Sequence, residues 1–237
     1  MKDRAATTLV LLSYDEREAL EQLLPLLPLE LFEEVVAIDP GSTDGTLELY
    51  AAHGIPVKFQ KERGRGSAFR LATQIVTTPR VVFLSTDGNE DPRDLPRLMA
   101  GLDAGYDMIV AGRFVRAGSA SDNSDDPLRI RKSATIAGSA LIRLIWRSGV
   151  WDAINGFRAF QTDSLRRLNL DATMHDIELQ STIRAARMRM RILEIATREQ
   201  RRMGGLRKAT AGTWTLLVSL GSSFARELFS AGPRADS

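Results

Sequence analysis

Short apolar runs alternate with amphipathic stretches along the first half of the chain. Five runs have the length and the β-branched content of buried strands, at residues 7–12, 34–38, 57–60, 80–85 and 108–111. Between them, apolar side chains recur at helical spacing in residues 16–27, 43–53, 66–76 and 92–104. Strands separated by helices of this length predict right-handed βαβ units. We therefore expect an α/β fold with a doubly wound, mostly parallel sheet.

The pattern changes after Arg113. The second half predicts, in order, a loop rich in Ser, Asp and Gly, a helix, a loop, a helix, a strand, a basic loop and an apolar helix, at residues 118–126, 130–146, 151–160, 176–188, 191–197, 201–208 and 213–229. We interpret residues 1–208 as one domain, and residues 209–237 as a C-terminal amphipathic helix and tail.

Composition narrows the class of protein. The 237 residues are 43% hydrophobic and 26% charged, which is typical of a globular chain. Cysteine is absent, so disulfides and thiolate metal sites are excluded. Because His53 and His175 are the only histidines, a metal would be a hard ion with oxygen ligands. The first residues lack the apolar segment of a signal peptide, and we expect a cytoplasmic protein.

Charge is divided unevenly along the chain. Residues 1–126 hold 13 Lys and Arg against 21 Asp and Glu, whereas residues 127–237 hold 19 against 9. Nine basic residues fall between Arg184 and Lys208. This stretch predicts contact with a phosphate-bearing partner or an anionic surface, and a solvated helix face is the alternative. Nucleic-acid binding is not predicted, because no aromatic residues are interleaved with this basic stretch.

The loop after the second predicted strand has the residues of a nucleoside site. In such sheets ligands bind beyond the carboxyl ends of the strands. Asp39 ends this strand and can accept a hydrogen bond from a base or a ribose hydroxyl, while the glycines that follow let a ligand approach the backbone. The alternative is local capping by Ser42 and Asp44, with Ser42 placed as the cap of the next helix.

The loop after the fourth predicted strand has the residues of a metal site. Asp87 and Asn89 supply oxygen ligands for Mg²⁺ or Mn²⁺, an ion that would bridge two phosphates of a nucleotide. The alternative is a turn before a helix. For Asp91 we favour this alternative, because an Asp-Pro pair is typical of the N-cap and first residue of a helix.

Six motifs in this order resemble the inverting GT-A glycosyltransferases of family 2, in particular the dolichyl-phosphate mannose synthase and polyprenyl-phosphate glycosyltransferase branch. The motifs are VAID (36–39) with GSTDGT (41–46), RGRGSAFR (63–70), FLSTDGNEDP (83–92), GRF (112–114), DAINGFRAF (152–160), and Glu194 with RMGGLRK (202–208). They extend from about residue 9 to residue 208. The resemblance implies a GT-A fold and transfer of a sugar from a GDP- or UDP-sugar to a polyprenyl phosphate, with inversion.

The resemblance also implies roles for individual residues. The donor nucleotide would be bound by residues of the first, second and last motifs, namely Asp39, Ser42, Asp44, Arg63, Arg65, Gly66, Arg202 and Lys208. The metal would be bound by Asp87 and Asn89. The catalytic set would be Asp87, Arg113, Arg131 and Asp152.

On the acceptor side, Arg113 and Arg131 are candidates to hold the acceptor phosphate, because a guanidinium group matches phosphate oxygens; an ordinary surface ion pair is the alternative for each. Asp152 and Arg158 would line this side. Phe157 and Phe160 we expect in the core.

Three departures from the family pattern leave alternatives open. Ser85 stands where the first carboxylate of the Asp-x-Asp motif is expected, Pro40 interrupts the segment after Asp39, and Ser13-Tyr-Asp-Glu16 replaces an Asn-Glu pair. The alternatives are a catalytically weakened nucleotide-sugar-binding module and a glycosyltransferase with a non-lipid acceptor. A nucleotidyltransferase is disfavoured, because residues 9–17 lack a glycine-rich, lysine-bearing signature.

The last predicted helix has two interpretations. Trp214, Leu217, Phe224 and Leu228 recur at helical spacing, and the segment is too short to span a bilayer. It could lie at the inner face of a membrane as a peripheral contact. Alternatively, it packs against the protein's own core or against a second subunit in a homodimer.

Overall fold

The computed structural model describes residues 5–115, 119–120, 130–204 and 213–229, without the side chains of residues 130–131 and 213–217. A seven-stranded sheet forms its centre. The strands are β1 (Thr7–Leu12), β2 (Glu34–Asp39), β3 (Val57–Phe59), β4 (Arg80–Ser85), β5 (Met108–Gly112), β6 (Arg158–Gln161) and β7 (Ile192–Ala196). Their order across the sheet is β3-β2-β1-β4-β6-β5-β7. The predicted α/β, mostly parallel sheet is confirmed.

One strand runs against the others and was missed from the sequence. β6 pairs antiparallel with both β4 and β5, with Val82 and Ile109 each opposite Ala159. We predicted a loop throughout residues 151–160, because a four-residue strand is too short to show periodicity. Since β6 runs antiparallel, the segment that precedes it lies at the edge where β4 and β5 end.

Helices cover both faces of the sheet. They are α1 (Arg17–Leu23), α2 (Thr46–Ala52), α3 (Arg65–Ile75), α4 (Leu95–Asp103), α5 (Ile130–Trp146), α6 (Thr162–Arg167), α7 (Ile177–Arg187) and α8 (Thr213–Phe229). The helix predicted at 16–27 is shorter, because Pro25 lies in a 3₁₀ turn over Leu24–Leu26 that ends it. Asp91 caps a 3₁₀ turn that precedes α4, and its side chain accepts from the N–H of Arg93, as expected. The predicted loop at 118–126 lies largely outside the described residues.

Apolar side chains pack on each face of the sheet. One cluster joins α1 and α4 to the sheet and includes Phe157, and the other joins α3 and α6 and includes Phe160. Both aromatic residues are completely buried. Their predicted place in the core is confirmed.

The C-terminal helix α8 packs on α5 and α7. Phe224 meets Trp146 edge-on, with ring centroids 5.3 Å apart. Glu227 is completely buried and accepts hydrogen bonds from Arg184 at 3.0 and 2.8 Å. Packing against the protein's own core is therefore correct for this part of the helix; the side chains of Trp214 and Leu217 lie outside the described set. Within the residues that the structure describes, no helix has the length and apolarity needed to cross a bilayer.

Candidate active site

The loop after β2 is built around the carboxylate of Asp39. This side chain is completely buried. One of its oxygens accepts from the N–H groups of Gly41 and Ser42 at 2.7 and 2.6 Å, and the other accepts from the hydroxyls of Ser13 and Ser42 at 3.1 and 2.6 Å. Asp39 thus fixes the shape of the loop and joins it to the end of β1.

Ser42 does not cap the following helix. α2 begins at Thr46, three residues later than predicted, and Asp44 accepts from the N–H and the hydroxyl of Thr46 at 3.0 and 2.6 Å. Burial opposes ionisation of Asp44, but these hydrogen bonds and one from the N–H of Arg17 outweigh it and lower the pKa of its carboxyl. The hydroxyl of Ser42 instead accepts from the N–H of Asp15 at 2.6 Å, because the bend after β1 lies directly beside this loop.

The glycine-rich segment after β3 points its two arginines in different directions. Arg63 is exposed and lies over the ring of Tyr14, 4.6 Å from its centroid. Gly66 is buried, and its N–H donates to the carbonyl of Met174 at 3.1 Å. A Cβ atom at this position would lie 2.3 Å from the carbonyl oxygen of Ala172, so the requirement for glycine comes from packing against the chain before α7.

Arg65 points into the protein and joins three elements. Its guanidinium donates to the hydroxyl of Ser85 at 2.7 Å and to the buried carboxylate of Glu178 on α7. A second ion pair, of 3.7 Å, connects it to Glu90. Gly156 leaves the space that this guanidinium fills, since a Cβ there would lie 1.8 Å from one of its nitrogens. Arg65 therefore fixes the end of β4 against α7.

The carboxylate of Glu90 lies beside Ser85, the residue that stands where the family motif has its first carboxylate. Its two oxygens accept from the N–H of Ser85 at 2.7 Å and from the Ser85 hydroxyl at 3.1 Å. Burial raises the pKa of Glu90 to about 7; Arg65 and the hydrogen bonds from Ser85 oppose this rise, and the charge of Asp87 adds to it.

The turn after β4 presents Asp87 and Asn89 together. The carboxylate of Asp87 accepts from the backbone N–H and the side-chain amide of Asn89, each at 3.2 Å. The amide oxygen of Asn89 is buried and has no hydrogen-bond partner. An orphaned oxygen beside a carboxylate fits a hard divalent cation such as Mg²⁺ or Mn²⁺. Among the described residues, no three acidic or histidine side chains are grouped as metal ligands.

The chain after β7 closes over this turn. Arg202 lies 3.5 Å from the carboxylate of Asp87 and donates to the carboxylate of Glu16. The N–H groups of Gln200 and Met203 donate to the carbonyls of Asn89 and Asp87 at 2.8 and 3.1 Å. Burial lowers the pKa of Arg202, but the charges of Glu16 and Asp87 outweigh it and raise the pKa overall. Lys208, the other predicted diphosphate ligand, lies outside the described residues.

A second ionic cluster lies where β5 ends. Arg113 donates to both oxygens of Asp152, at 2.7 and 3.1 Å, and to Glu199 at 3.2 Å. Asp152 is completely buried beneath this guanidinium. Burial would lower the pKa of Arg113, but the two carboxylates raise it well above its usual value. The structure thus places Arg113 and Asp152 in direct contact, whereas the side chain of Arg131 lies outside the described set.

Glu194 supports this cluster from β7. Its carboxylate accepts from the N–H groups of Trp151 and Asp152, both at 2.8 Å. Burial raises the pKa of Glu194 to about 7, against these hydrogen bonds. Glu194 therefore holds the segment that carries Asp152.

The predicted place of Arg158 on the acceptor side is wrong. Its side chain is completely buried. It donates to the carbonyls of Ala153 and Glu178 at 2.6 and 2.8 Å and to the hydroxyls of Ser181 and Thr182 at 2.7 and 2.9 Å. Burial lowers its pKa to about 10. Arg158 turns inward because the first residue of an antiparallel strand faces α7 here, and it fixes the preceding loop to that helix.

One acidic residue of this region, Glu178, was missed from the sequence. Glu178 lies on a helix whose other residues are nearly all buried, and a charged residue at a buried helical position signals an ionic partner. Glu90 follows Asp87 within the recognised loop, but its return to Ser85 depends on the turn between them. Sequence spacing cannot show that Glu178 pairs with Arg65 or that Glu90 pairs with Ser85.

Comparisons with known proteins agree with this geometry. The family model described as glycosyl transferase family 2 matches residues 8–169. An uncharacterized glycosyltransferase of Mycobacterium tuberculosis is 30% identical over 215 residues, covering 91% of this chain and 94% of its own. The polyprenol monophosphomannose synthase of Mycolicibacterium smegmatis is 27% identical over 182 residues, covering 70% of this chain and 65% of its own.

Among solved structures, glucosyl-3-phosphoglycerate synthase from Mycobacterium tuberculosis, in complex with Mn²⁺, UDP and glucosyl-3-phosphoglycerate, has the same fold. The TM-score is 0.72 at 19% identity, and the match covers 94% of this chain and 80% of that one. The similarity supports the GT-A arrangement of the sheet, with a nucleotide and a metal bound in that protein.

Proposed function

Because the chain belongs to glycosyl transferase family 2, we propose that it transfers a sugar from a nucleotide diphosphate sugar to the phosphate of a polyprenyl lipid, with inversion at the anomeric carbon. The main observation behind the proposal is the ion pair at the end of β4. There the carboxylate of Asp87 and the guanidinium of Arg202 lie 3.5 Å apart. A cation and an anion so placed match the charges of a metal-bound diphosphate.

The donor side of the site lies at the ends of β1, β2 and β4. The loop fixed by Asp39 borders the nucleoside, with Ser42 and Asp44 in the same loop. Arg63, exposed at the start of the glycine-rich segment, and Arg202 face the diphosphate. Their guanidinium groups stabilise the negative charge that develops on the leaving nucleotide.

Asp87 and Asn89 would hold the Mg²⁺ or Mn²⁺ ion. When bound, the ion neutralises charge on the diphosphate. Arg202, 3.5 Å from Asp87, is placed to neutralise charge on the diphosphate together with that ion.

The acceptor side lies at the end of β5. Arg113 is held in a fixed orientation by Asp152 and Glu199, which pre-organises its remaining surface for a phosphate. Arg131 follows on α5 as the second predicted phosphate ligand. An oxygen of the acceptor phosphate attacks the anomeric carbon, and the bond from that carbon to the diphosphate breaks with its electron pair going to the leaving nucleotide. A phosphate monoester is anionic at neutral pH, so no general base is needed.

The lipid acceptor is supported by the motif order and by the similarity to the polyprenol monophosphomannose synthase, whose name specifies a polyprenol product. A phosphorylated small molecule is the alternative, because the structural neighbour was solved with glucosyl-3-phosphoglycerate. Both candidate acceptors contain a phosphate group, but only a lipid-linked product is extracted into an organic phase.

A transfer assay tests the proposal. The intact chain is incubated with radiolabelled UDP-glucose or GDP-mannose, Mn²⁺ and detergent-dispersed undecaprenyl phosphate, and label is measured in the organic extract. We expect lipid-linked label, its loss in Asp87→Ala, and its retention in Asp91→Asn, a control that removes a carboxylate from the same loop but keeps the capping oxygen. In a parallel assay with 3-phosphoglycerate, label transferred only to that compound would replace the lipid acceptor, and nucleotide binding without any transfer would indicate a catalytically weakened nucleotide-sugar-binding module.

A further inference from the structure

The outer face of α5 carries no charged residue over three turns. The exposed positions recur at intervals of three and four, so they form one stripe along the helix. They are Ser133, Ala137, Ala140, Leu141, Leu144 and Ile145. A helix face that meets only water is normally polar. Leu144 has 78% of its surface exposed, so the residues that the structure describes leave this part of the stripe uncovered.

The neighbouring helix α8 also exposes apolar side chains. It contacts α5 through Phe224 and Trp146, and its outer side exposes Val218 and Phe229, the latter with 86% of its surface accessible. Buried Glu227 fixes α8 to α7 through Arg184. The exposed apolar side chains of α5 and α8 therefore lie on helices that pack against the rest of the protein.

The charged residues within α5 are of one sign. The sequence of α5 contains Arg131, Lys132 and Arg143 and no acidic residue, and Arg147 follows directly. Arg143 lies over the ring of Trp151, 3.4 Å from its centroid, so an aromatic ring and a cation are held together at the margin. An apolar stripe with basic residues and an aromatic ring at its margin is typical of a helix that lies in the interface of an anionic bilayer.

The first turn of α5 begins beside the acceptor side of the site. The amino group of Lys132 and the guanidinium of Arg113 lie over the ring of Phe114, 5.6 and 5.3 Å from its centroid. The apolar stripe thus starts next to the arginine that we assign to the acceptor phosphate. A surface that bound lipid along α5 would bring headgroup phosphates to the level of this arginine.

We propose that α5 is the membrane-docking surface of this protein, with its apolar stripe inserted among the lipids of an anionic bilayer and its basic residues at the headgroups. The proposal rests on the proposed function, in which the acceptor is a lipid. A second copy of the chain is disfavoured as the occupant, because two stripes packed face to face would bring basic residues against basic residues with no acidic residue of α5 to offset them.

Vesicle sedimentation of the intact chain tests the proposal. The probes are vesicles of phosphatidylcholine alone and vesicles that also contain phosphatidylglycerol. We expect binding to the anionic vesicles, weakened by salt. The double variant Leu144→Gln/Ile145→Gln should bind at least about tenfold less, since each side chain loses the free energy of leaving water. The matched control is Leu26→Gln/Phe59→Gln, which removes two exposed apolar side chains elsewhere and should bind like the native chain.

Three results would overturn the proposal: native protein that does not sediment with anionic vesicles, a Leu144/Ile145 variant that binds as the native protein does, or a native dimer in ultracentrifugation that this variant converts to a monomer. Activity separates this proposal from the proposed function. Transfer in detergent should be unchanged in the Leu144/Ile145 variant, because docking is bypassed. Vesicle binding without any transfer to polyprenyl phosphate would reject the lipid acceptor and leave the docking surface standing.

Discussion

Replacing Arg65 by methionine should destabilise the protein strongly. The sequence motif predicts an arginine that binds the donor, whereas the structure places its guanidinium between Ser85, Glu90 and Glu178. Methionine has a similar length and no charge, so Arg65→Met removes the cation and leaves most of the packing. Two carboxylates, of which Glu178 has only 3% of its side chain exposed, would then lack their cationic partner.

The size of the effect follows from the burial of these charges. Removing one partner of a buried ion pair costs about 3–5 kcal/mol, because the remaining charge stays desolvated. For a domain of this size, each kcal/mol lowers the melting temperature by roughly 2–4 °C. We therefore expect a melting temperature about 6–20 °C lower than that of the native chain. The double variant Arg65→Met/Glu178→Met should recover part of the loss, because one orphaned carboxylate is removed with its partner.

Urea unfolding followed by circular dichroism measures the loss in free energy of unfolding. UDP binding is measured calorimetrically on the folded variants. Arg63→Met is the matched control: its guanidinium is exposed over Tyr14, and its loss should cost at most about 1 kcal/mol. If Arg65→Met were as stable as the native chain and failed only to bind UDP, the ion-pair reasoning would be refuted. The sequence-based assignment of Arg65 to the donor would then be correct.

Three further substitutions test neighbouring groups. Ser85→Asp should lower the Mn²⁺ concentration needed for half-maximal binding, measured by electron paramagnetic resonance; an unchanged requirement would mean that Glu90 already compensates for the missing carboxylate. The pKa of Glu194 is raised by burial to about 7, above its value in the unfolded chain. The stability that Glu194 contributes therefore falls as the pH rises from that unfolded value to about 7. Glu194→Gln should therefore gain in melting temperature relative to the native chain between about pH 5 and about pH 8, and a difference that does not change with pH would contradict the shift. Glu227→Gln should lower the free energy of unfolding in urea by about 3–5 kcal/mol, because Arg184 and Arg187 lose a shared buried carboxylate and Arg184 is left with the exposed carboxylate of Asp171; a native-like midpoint would show that α8 detaches without penalty.

Much of the fold could be predicted from the sequence because its strands are local apolar runs. The bounds of β1, β4, α5 and α8 agree with those predicted. β6 could not be predicted, because its four residues are defined by their pairing with β4 and β5 rather than by their own pattern. Tertiary pairing, not propensity, decides so short a strand.

The site was predictable only to the level of its loops. Asp87 and Asn89 do lie together, as their spacing in one turn requires. The ion pair of Arg65 with Glu178 joins residues 113 positions apart, so no local pattern could show that this arginine turns inward. Arg158 was misplaced for the same reason: its partners are carbonyls and hydroxyls, which leave no signature in the sequence.

The antiparallel insertion of β6 sets a fixed separation within the site. Neighbouring strands lie about 4.8 Å apart, so the ends of β4 and β5 are separated by roughly 10 Å. One strand end carries Asp87 and the other leads to Arg113, and the segment after β7 contacts both through Arg202 and Glu199. The sheet thus fixes the distance between the proposed donor and acceptor sides, so exchange of the segment after β5 should alter acceptor choice while nucleotide binding stays the same.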